Sequence, residues 1–379
     1  MNKIEEMIKQ LCPNGVEWKK LGGICTIVRG IRVVKSQLKS EGKYPVFQNS
    51  LAPMGYFDEY NRNSGTYLIS AGAAGDIGFC KTEFWSADDC LTFLDSKVFI
   101  EKYLYYFLKT KQPYLYSNVR KASIPRLSKD VVANLSIPLP PLPIQTEIVR
   151  ILDKFVEQQE QLERLIELRK KQYEYYREEL LKPKEGEKWE RKTLGEIGTF
   201  VRGNGLQKTD FREEGVGCIH YGQIYTYYGM FTNKTKSFVS SELASKLKKV
   251  EQGDIVLACT SENIEDVCMC VVWEGEETIV TGGHSSIYKH NENPRFIAYF
   301  LKSKAFEVQK IKYAYGAKVI DIKNDDLEKI YILLPSREKQ DKIVDFLNKF
   351  EYSIDSLTIA LEASKKRYEY YRDEILRKN

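Results

Sequence analysis

The chain repeats itself, and that repeat limits what it can fold into more than any other feature. Leu21-Gly22-Gly23-Ile24 and Val28-Arg29-Gly30 return as Leu194-Gly195-Glu196-Ile197 and Val201-Arg202-Gly203, each 173 residues later. The stretch from Pro140 to Leu181 returns as Pro335 to Leu376 at an offset of 195, without a gap and with 18 of 42 positions identical. The identities include Gln145/Gln340, Lys154-Phe155/Lys349-Phe350 and the Tyr-Glu-Tyr-Tyr-Arg blocks at 173–177 and 368–372. The offsets differ by 22, so the second globular stretch is 22 residues longer than the first. A repeat that keeps its spacer and varies its modules has the form of a ruler carrying two different readers.

The gap-free segments predict long amphipathic helices. Ile148, Leu152, Phe155, Gln159, Leu162, Ile166, Arg169, Tyr173, Tyr176 and Leu180 follow alternating four- and three-residue steps. Ile343, Leu347, Phe350, Ile354, Leu357, Leu361, Ser364, Tyr368, Tyr371 and Ile375 do the same. Ten positions on a 3.5-residue period are a coiled-coil signature. Pro143 and Pro183 bracket the first helix, where starts and stops are expected. A helix of about 36 residues spans roughly 54 Å, and its apolar stripe needs a cover. The other copy is the simplest cover. An antiparallel pair keeps the two modules from colliding and gives approximate two-fold symmetry. Gln159, Arg169 and Ser364 interrupt the stripes and read as register-setting residues.

The predicted architecture is therefore α+β, with two mixed α/β modules joined by two long helices paired as an antiparallel coiled coil. Its parts are residues 1–143, a helix over 144–182, residues 183–338 and a helix over 339–379. Length supports more than one core, since 379 residues exceed an ordinary domain. The net charge is +5, yet residues 146–182 and 341–377 each sum to −1, which leaves +7 on the rest. The modules thus carry the positive excess that a phosphate-facing surface requires.

In the first module, Thr66 to Ser70 and Gly78 to Cys80 read as strands around a small-residue loop, Ala71 to Asp76. Helices are expected over 102–111 and over its counterpart 296–304. Readers of DNA need Lys or Arg for phosphates and Arg, Asn, Gln or Ser for base edges. The first module offers Arg29, Arg32, Lys35, Gln37, Gln48, Asn49, Arg62, Asn63, Arg120, Lys121 and Arg126. The second offers Arg202, Asn204, Gln207, Lys208, His220, Gln223, Lys312 and Lys318, interleaved with Tyr221, Tyr225, Tyr227, Tyr313 and Tyr315. The tyrosine blocks near the helix ends, Tyr173, Tyr175, Tyr176 and Tyr368, Tyr370, Tyr371, exceed what one seam needs. They read either as a broad end of the coiled coil or as a docking site used twice.

Catalytic motifs are missing. The chain has no Walker-type phosphate loop, no Asn/Asp-Pro-Pro-aromatic tetrapeptide, no G-x-S-x-G elbow and no H-E-x-x-H. Its three histidines, His220, His284 and His290, all lie in the second module, which excludes a duplicated His-based active site. His284, within Thr281-Gly-Gly-His-Ser285, reads as a loop or recognition residue. The eight cysteines form no C-x-x-C pair and read as reduced core thiols; Cys268 and Cys270 are expected on one face of a strand. No metal or cofactor is expected. No run suits a membrane span, and the charged stretch Met1 to Leu11 lacks the apolar core of a signal peptide, so a cytoplasmic protein is expected.

This arrangement resembles the specificity subunit of type I restriction-modification systems. The Leu-Gly-x-Ile…Val-Arg-Gly openings carry the likeness, with the Ile-Pro-Leu-Pro140…Gln145-x-x-Ile-Val149 hinge, the tyrosine-rich helix ends and the doubled module order. The second hinge, Ile332-Leu-Leu-Pro335-Ser336, departs from the pattern by losing most of its prolines. The resemblance implies two target recognition domains that each read half of a bipartite, asymmetric DNA site. It implies helices that set the gap and bind two methyltransferase subunits, which recruit ATP-dependent restriction subunits. It implies a non-catalytic chain. The competing expectation is a coiled-coil interaction scaffold with no role in DNA recognition.

Overall fold

The computed structural model describes residues 2–377. The chain divides into two compact units. The first comprises Met1–Arg164 with Thr358–Asn379, and the second comprises Leu165–Leu357. Each unit holds one globular body and a half of each of two long helices, Leu142–Leu180 and Arg337–Arg377.

In the first unit a four-stranded antiparallel sheet is ordered Thr26–Arg29, Cys90–Leu94, Gly65–Ile69, Ile77–Cys80. Strands Gly55–Phe57, Tyr44–Phe47 and Trp85–Ser86 form a smaller sheet whose last pair is parallel. Helix Glu101–Ser117 covers the larger sheet and buries Tyr103, Leu104, Tyr106, Phe107 and Leu108. Each such side chain removed from water contributes about 1.5–3 kcal/mol.

The second unit repeats the plan. Strands Gly198–Arg202, Ser285–His290, Ile255–Ala258 and Cys270–Trp273 lie in the same order, and Phe231–Thr232 adds a fifth. The smaller sheet holds Ser237–Val239, Val216–Ile219 and Ile279–Thr281, with Lys248–Val250 as an extra strand. The added length falls in the connections. Residues 48–54 of the first unit correspond to 220–236 of the second, which have room for helix Tyr221–Thr226 and strand Phe231–Thr232. Helix Ser241–Lys246 fills another enlarged connection. Helix Pro294–Leu301 starts where sequence chemistry directs it. Asn293 Oδ1 caps the amides of Arg295 and Phe296 at 3.0 and 3.2 Å, and proline follows at the first helical position.

The repeated sequence motifs mark repeated contacts. A Cβ on Gly30 would stand 2.0 Å from Ser86 O, and one on Gly203 would stand 2.0 Å from Gly282 O. The Val-Arg-Gly opening therefore ends on glycine because a neighbouring carbonyl occupies the side-chain space. Gln145 and Gln340 are fully buried near the start of each long helix. Gln145 Oε1 accepts from Ile100 N at 2.9 Å, while its Nε2 donates to Val98 O and Pro140 O at 2.8 Å. Gln340 Oε1 accepts from Asn293 N at 3.0 Å, and its Nε2 donates to Glu292 Oε2 and Pro335 O.

Within each unit the two helix halves run in opposite directions. In the first, Phe155 stacks on Tyr371 and Glu163 pairs with Lys365 at 2.7 Å. In the second, Tyr176 packs on Phe346 and Phe350, and Tyr173 donates to Glu351 Oε1 at 2.9 Å. All stripe positions named above are buried or half-buried except Tyr176, at 37% exposure.

One local expectation fails. Cys268 and Cys270 do not share a strand, because Cys268 adopts φ of +69° in the turn before strand Cys270–Trp273. Burial pushes the Cys90, Cys218, Cys259 and Cys270 thiols up to about 12, which makes them poor nucleophiles.

Candidate nucleic-acid interface

In the first unit several loops meet at one end of the larger sheet. Arg29 closes its strand there, opposite Leu91. The loop 71–76 follows strand Gly65–Ile69 at the same end, and its Gly72 holds φ of +85°. Backbone bonds tie three loops together. Ala73 N donates to Asn49 O at 2.9 Å, Gly72 N to Pro125 O at 3.1 Å, and Leu127 N to Ser70 O at 2.8 Å. Residues 120–126 form an exposed hairpin closed by reciprocal backbone bonds between Arg120 and Arg126. Arg29 Nη1 reaches Ser70 Oγ and Asp88 O at 3.5 Å each, and Gln48 Nε2 donates to Asp88 Oδ1 at 3.4 Å. Arg29, Gln48, Asn49, Arg120, Lys121 and Arg126 are thus brought together.

Other residues of the first module are not. Arg62 precedes strand Gly65–Ile69, whereas the loop cluster follows it. Its Nε donates to Thr92 Oγ1 at 2.6 Å and its Nη1 to Asn61 O, and burial lowers the guanidinium's pKa. With Asn63 it lines a separate cavity of about 650 Å³ that also holds Asp95 and Glu101. Arg32 and Lys35 are exposed on the connection 30–43. Gln37 spends its carbonyl on Val34 N at 3.0 Å.

The second unit builds the same end differently. Hairpin 315–321 is closed by reciprocal bonds between Tyr315 and Asp321, with Lys318 exposed near its tip. Arg202 donates to Asp321 Oδ2 at 3.0 Å, Gly283 O at 3.2 Å and Ile322 O at 3.2 Å. The exposed His284 ring lies 4.9 Å from Tyr221, which lies 4.5 Å from His220. Tyr225 is half-buried and donates its hydroxyl to Thr260 O at 2.7 Å. Tyr227 is exposed under Lys236, and Lys312 is exposed, whereas Tyr313 packs on the core.

His220 and Gln223 do not present themselves at a surface. They form the cap of helix Tyr221–Thr226. His220 Nδ1 accepts from Gly222 N at 3.1 Å, and Gln223 accepts from His220 N while donating to Ser237 Oγ. Burial first, then Lys208, lowers the His220 pKa below the ordinary imidazole value. Asn204 donates to Lys246 O at 3.0 Å, and Gln207 N is bound by Asp210, while Lys208 and Gln207 remain exposed. Sequence reading passed over Asp88 and Asp321. Their signal was slight: Asp321 stands 195 residues after Arg126, but only the two hairpins show that the positions correspond.

The tyrosine blocks divide by position. Tyr173 and Tyr368 face inward, the first onto Glu351 and Tyr299 and the second onto Tyr106 and Phe155. Tyr176 packs at a tilt against Phe350 of the facing helix, and Tyr371 stacks on Phe155. The middle members, Tyr175 and Tyr370, are each 62% exposed. Among the described residues no group of His, Cys, Asp and Glu is arranged to hold a metal, and no helix is long and apolar enough to cross a membrane.

Comparison with known proteins gives one consistent answer. A family model for the type I restriction modification DNA specificity domain matches twice, over residues 13–170 and 186–364. The chain is 28% identical to a putative type I restriction enzyme specificity subunit of Haemophilus influenzae, covering 95% of each. It is 29% identical to the specificity subunit of an Escherichia coli type I restriction enzyme, over 86% of this chain and 81% of that one. In fold it is similar to a crystal structure of a type I restriction-modification S subunit from M. genitalium. That likeness has a TM-score of 0.61 at 19% identity, over 96% and 97% of the two chains.

Proposed function

Because the chain belongs to the family of type I restriction-modification DNA specificity subunits, we propose that its two units read different halves of one DNA site. The two long helices, as a continuous antiparallel coiled coil, hold those half-sites at a fixed separation. The observation that carries this reading is the contrast within the repeat. The helices are copied over 42 positions without a gap, while the loops at the reading ends are rebuilt. A stiff spacer of fixed length sets half-site separation as it does in dimeric DNA readers, near one helical turn of about 34 Å. Differing loops make the two half-sites differ in sequence. The two specificity-domain matches set the scaffold alternative aside.

Double-stranded DNA is the ligand. Two methyltransferase subunits dock at the repeated tyrosine blocks, whose middle members Tyr175 and Tyr370 are exposed. ATP-dependent restriction subunits join through that complex. The chain supplies specificity and not turnover, requires no cofactor, and works in the cytoplasm. In the first unit Arg29, Gln48, Asn49, Arg120, Lys121 and Arg126 face DNA. In the second, Tyr221, His284, Tyr315 and Lys318 do so.

The test is methylome sequencing of cells that express the chain with its methyltransferase, before and after four residues are inserted into one long helix. A changed spacer with both half-sites retained is expected. An altered half-site with the old spacer would overturn the ruler.

A further inference from the structure

We infer that the two units divide the work of holding DNA: the first grips phosphates through an arginine cluster whose equivalent in the second is neutralised. This rests on the DNA-reading assignment above. The repeat aligns Arg29 with Arg202, Arg120 with Tyr315, and Arg126 with Asp321. Geometry supports the alignment, since 120–126 and 315–321 are both closed by reciprocal backbone bonds between their end residues. Three equivalent positions therefore carry three positive charges in one unit and none net in the other.

The local chemistry differs accordingly. In the second unit Asp321 binds Arg202 at 3.0 Å and accepts the Tyr315 hydroxyl at 3.3 Å. In the first unit Arg29 touches only neutral oxygens, both at 3.5 Å. Among the described residues no carboxylate stands within 4.0 Å of Arg29, Arg120 or Arg126 in an ion pair. Arg120 and Arg126 face each other across the hairpin, and like charges placed directly opposite are destabilising. Among the described residues neither arginine is held in an ion pair that would offset that repulsion. A phosphate diester would, because the planar guanidinium matches phosphate oxygens in a bidentate fork. Arg29 joins them through Ser70, whose carbonyl accepts from Leu127 beside Arg126.

The experiment titrates a duplex carrying the methylated site against the complex of the full chain with its methyltransferase subunits, over a series of KCl concentrations. Each phosphate contact adds roughly 0.9 to the slope of log affinity against log salt. R120A/R126A is expected to shallow that slope by about two, with the methylated sequence unchanged. Y315A/K318A should shallow it by about one at most. Asp321→Asn removes the charge that neutralises Arg202 and should steepen it by about one. R120K/R126K keeps the slope near wild type, which separates lost charge from lost folding. Equal losses from the two units would overturn the division of labour. So would an R120A/R126A complex with an unchanged slope and an altered half-site, since the arginines would then read bases. A wild-type complex that fails to distinguish its site from unrelated DNA would instead remove the assignment on which the inference rests.

Discussion

Tyr299 donates its hydroxyl to Asn348 Oδ1 at 2.9 Å, and at the same place in the first unit Tyr106 donates to Asp153. Both tyrosines are buried on the helix that covers the larger sheet, and both acceptors sit on a long helix. A cation completes each site. Lys102 donates to Asp153 Oδ2 at 2.7 Å, and Arg295 donates to Asn348 Oδ1 at 2.9 Å. The same latch thus couples body and helix in both units, with a carboxylate in one and an amide in the other.

The latch predicts which substitutions are tolerated. Asp153→Asn copies the second unit, keeps an acceptor for Tyr106, and should change stability by less than about 1 kcal/mol. Asp153→Ala leaves the buried Tyr106 hydroxyl without its acceptor and should cost about 1–3 kcal/mol. Urea unfolding of the full chain measures both. Equal costs for the two substitutions would show that the hydroxyl's partner is irrelevant.

The buried glutamines should be less forgiving. Gln145 satisfies one amide and two carbonyls from a fully buried position. Gln145→Leu fills the space but leaves all three, so a loss of about 3 kcal/mol or more is expected. Hydrogen exchange at the Ile100 amide should quicken. Protection unchanged at that amide would mean another acceptor takes over.

Much of this organisation could be read before the structure, and the reason lies in period. Ile343, Leu347 and Ile375 are buried because a 3.5-residue pattern faces one direction along a helix, whatever else the chain does. The long helices and the doubled α+β plan follow from such local signals. The reading ends do not, because they depend on which loops pair across the sheet. Arg62 and Arg29 look alike in sequence, yet one precedes a strand and the other meets the loop that follows it. His220 and Gln223 look like polar surface residues, yet an enlarged connection folds them into a helix cap. Gly30 and Gly203 were visible as repeated residues, but the carbonyl that forbids a side chain was not.

That carbonyl makes a direct prediction. Gly30→Ala would place a Cβ 2.0 Å from Ser86 O, and Gly203→Ala would do the same against Gly282 O. Each should cost more than about 3 kcal/mol, since backbone on both sides of the contact must move. Gly23→Ala has nothing within 4 Å of the new atom and serves as the control. Melting temperatures that rank Gly23→Ala with the other two would contradict the close crossing.

Two carboxylates should respond to acid with opposite sign. Arg150, aided by Lys3, holds the carboxyl of Glu147 down at about 2, against 4.5 for a free glutamate. A depressed folded value means the ionised form stabilises the fold. That contribution is fully present above pH 4.5 and is lost as pH falls through about 2. Glu351 is the reverse. Burial raises its pKa despite the Tyr173 hydroxyl and the nearby Arg295. A raised folded value means stability is greatest below 4.5 and declines as pH rises through the folded pKa. Glu147→Gln should therefore destabilise the chain at pH 7, with a deficit that shrinks on acidification. Glu351→Gln keeps an acceptor for Tyr173 without a buried charge, and it should raise the melting temperature at pH 7. That gain should fade toward pH 4, where the wild-type carboxyl is already neutral. Thermal unfolding of both variants between pH 3 and 7 reads the two trends directly. A Glu351→Gln chain that melts below wild type at pH 7 would show that its charge is compensated by Arg295 after all.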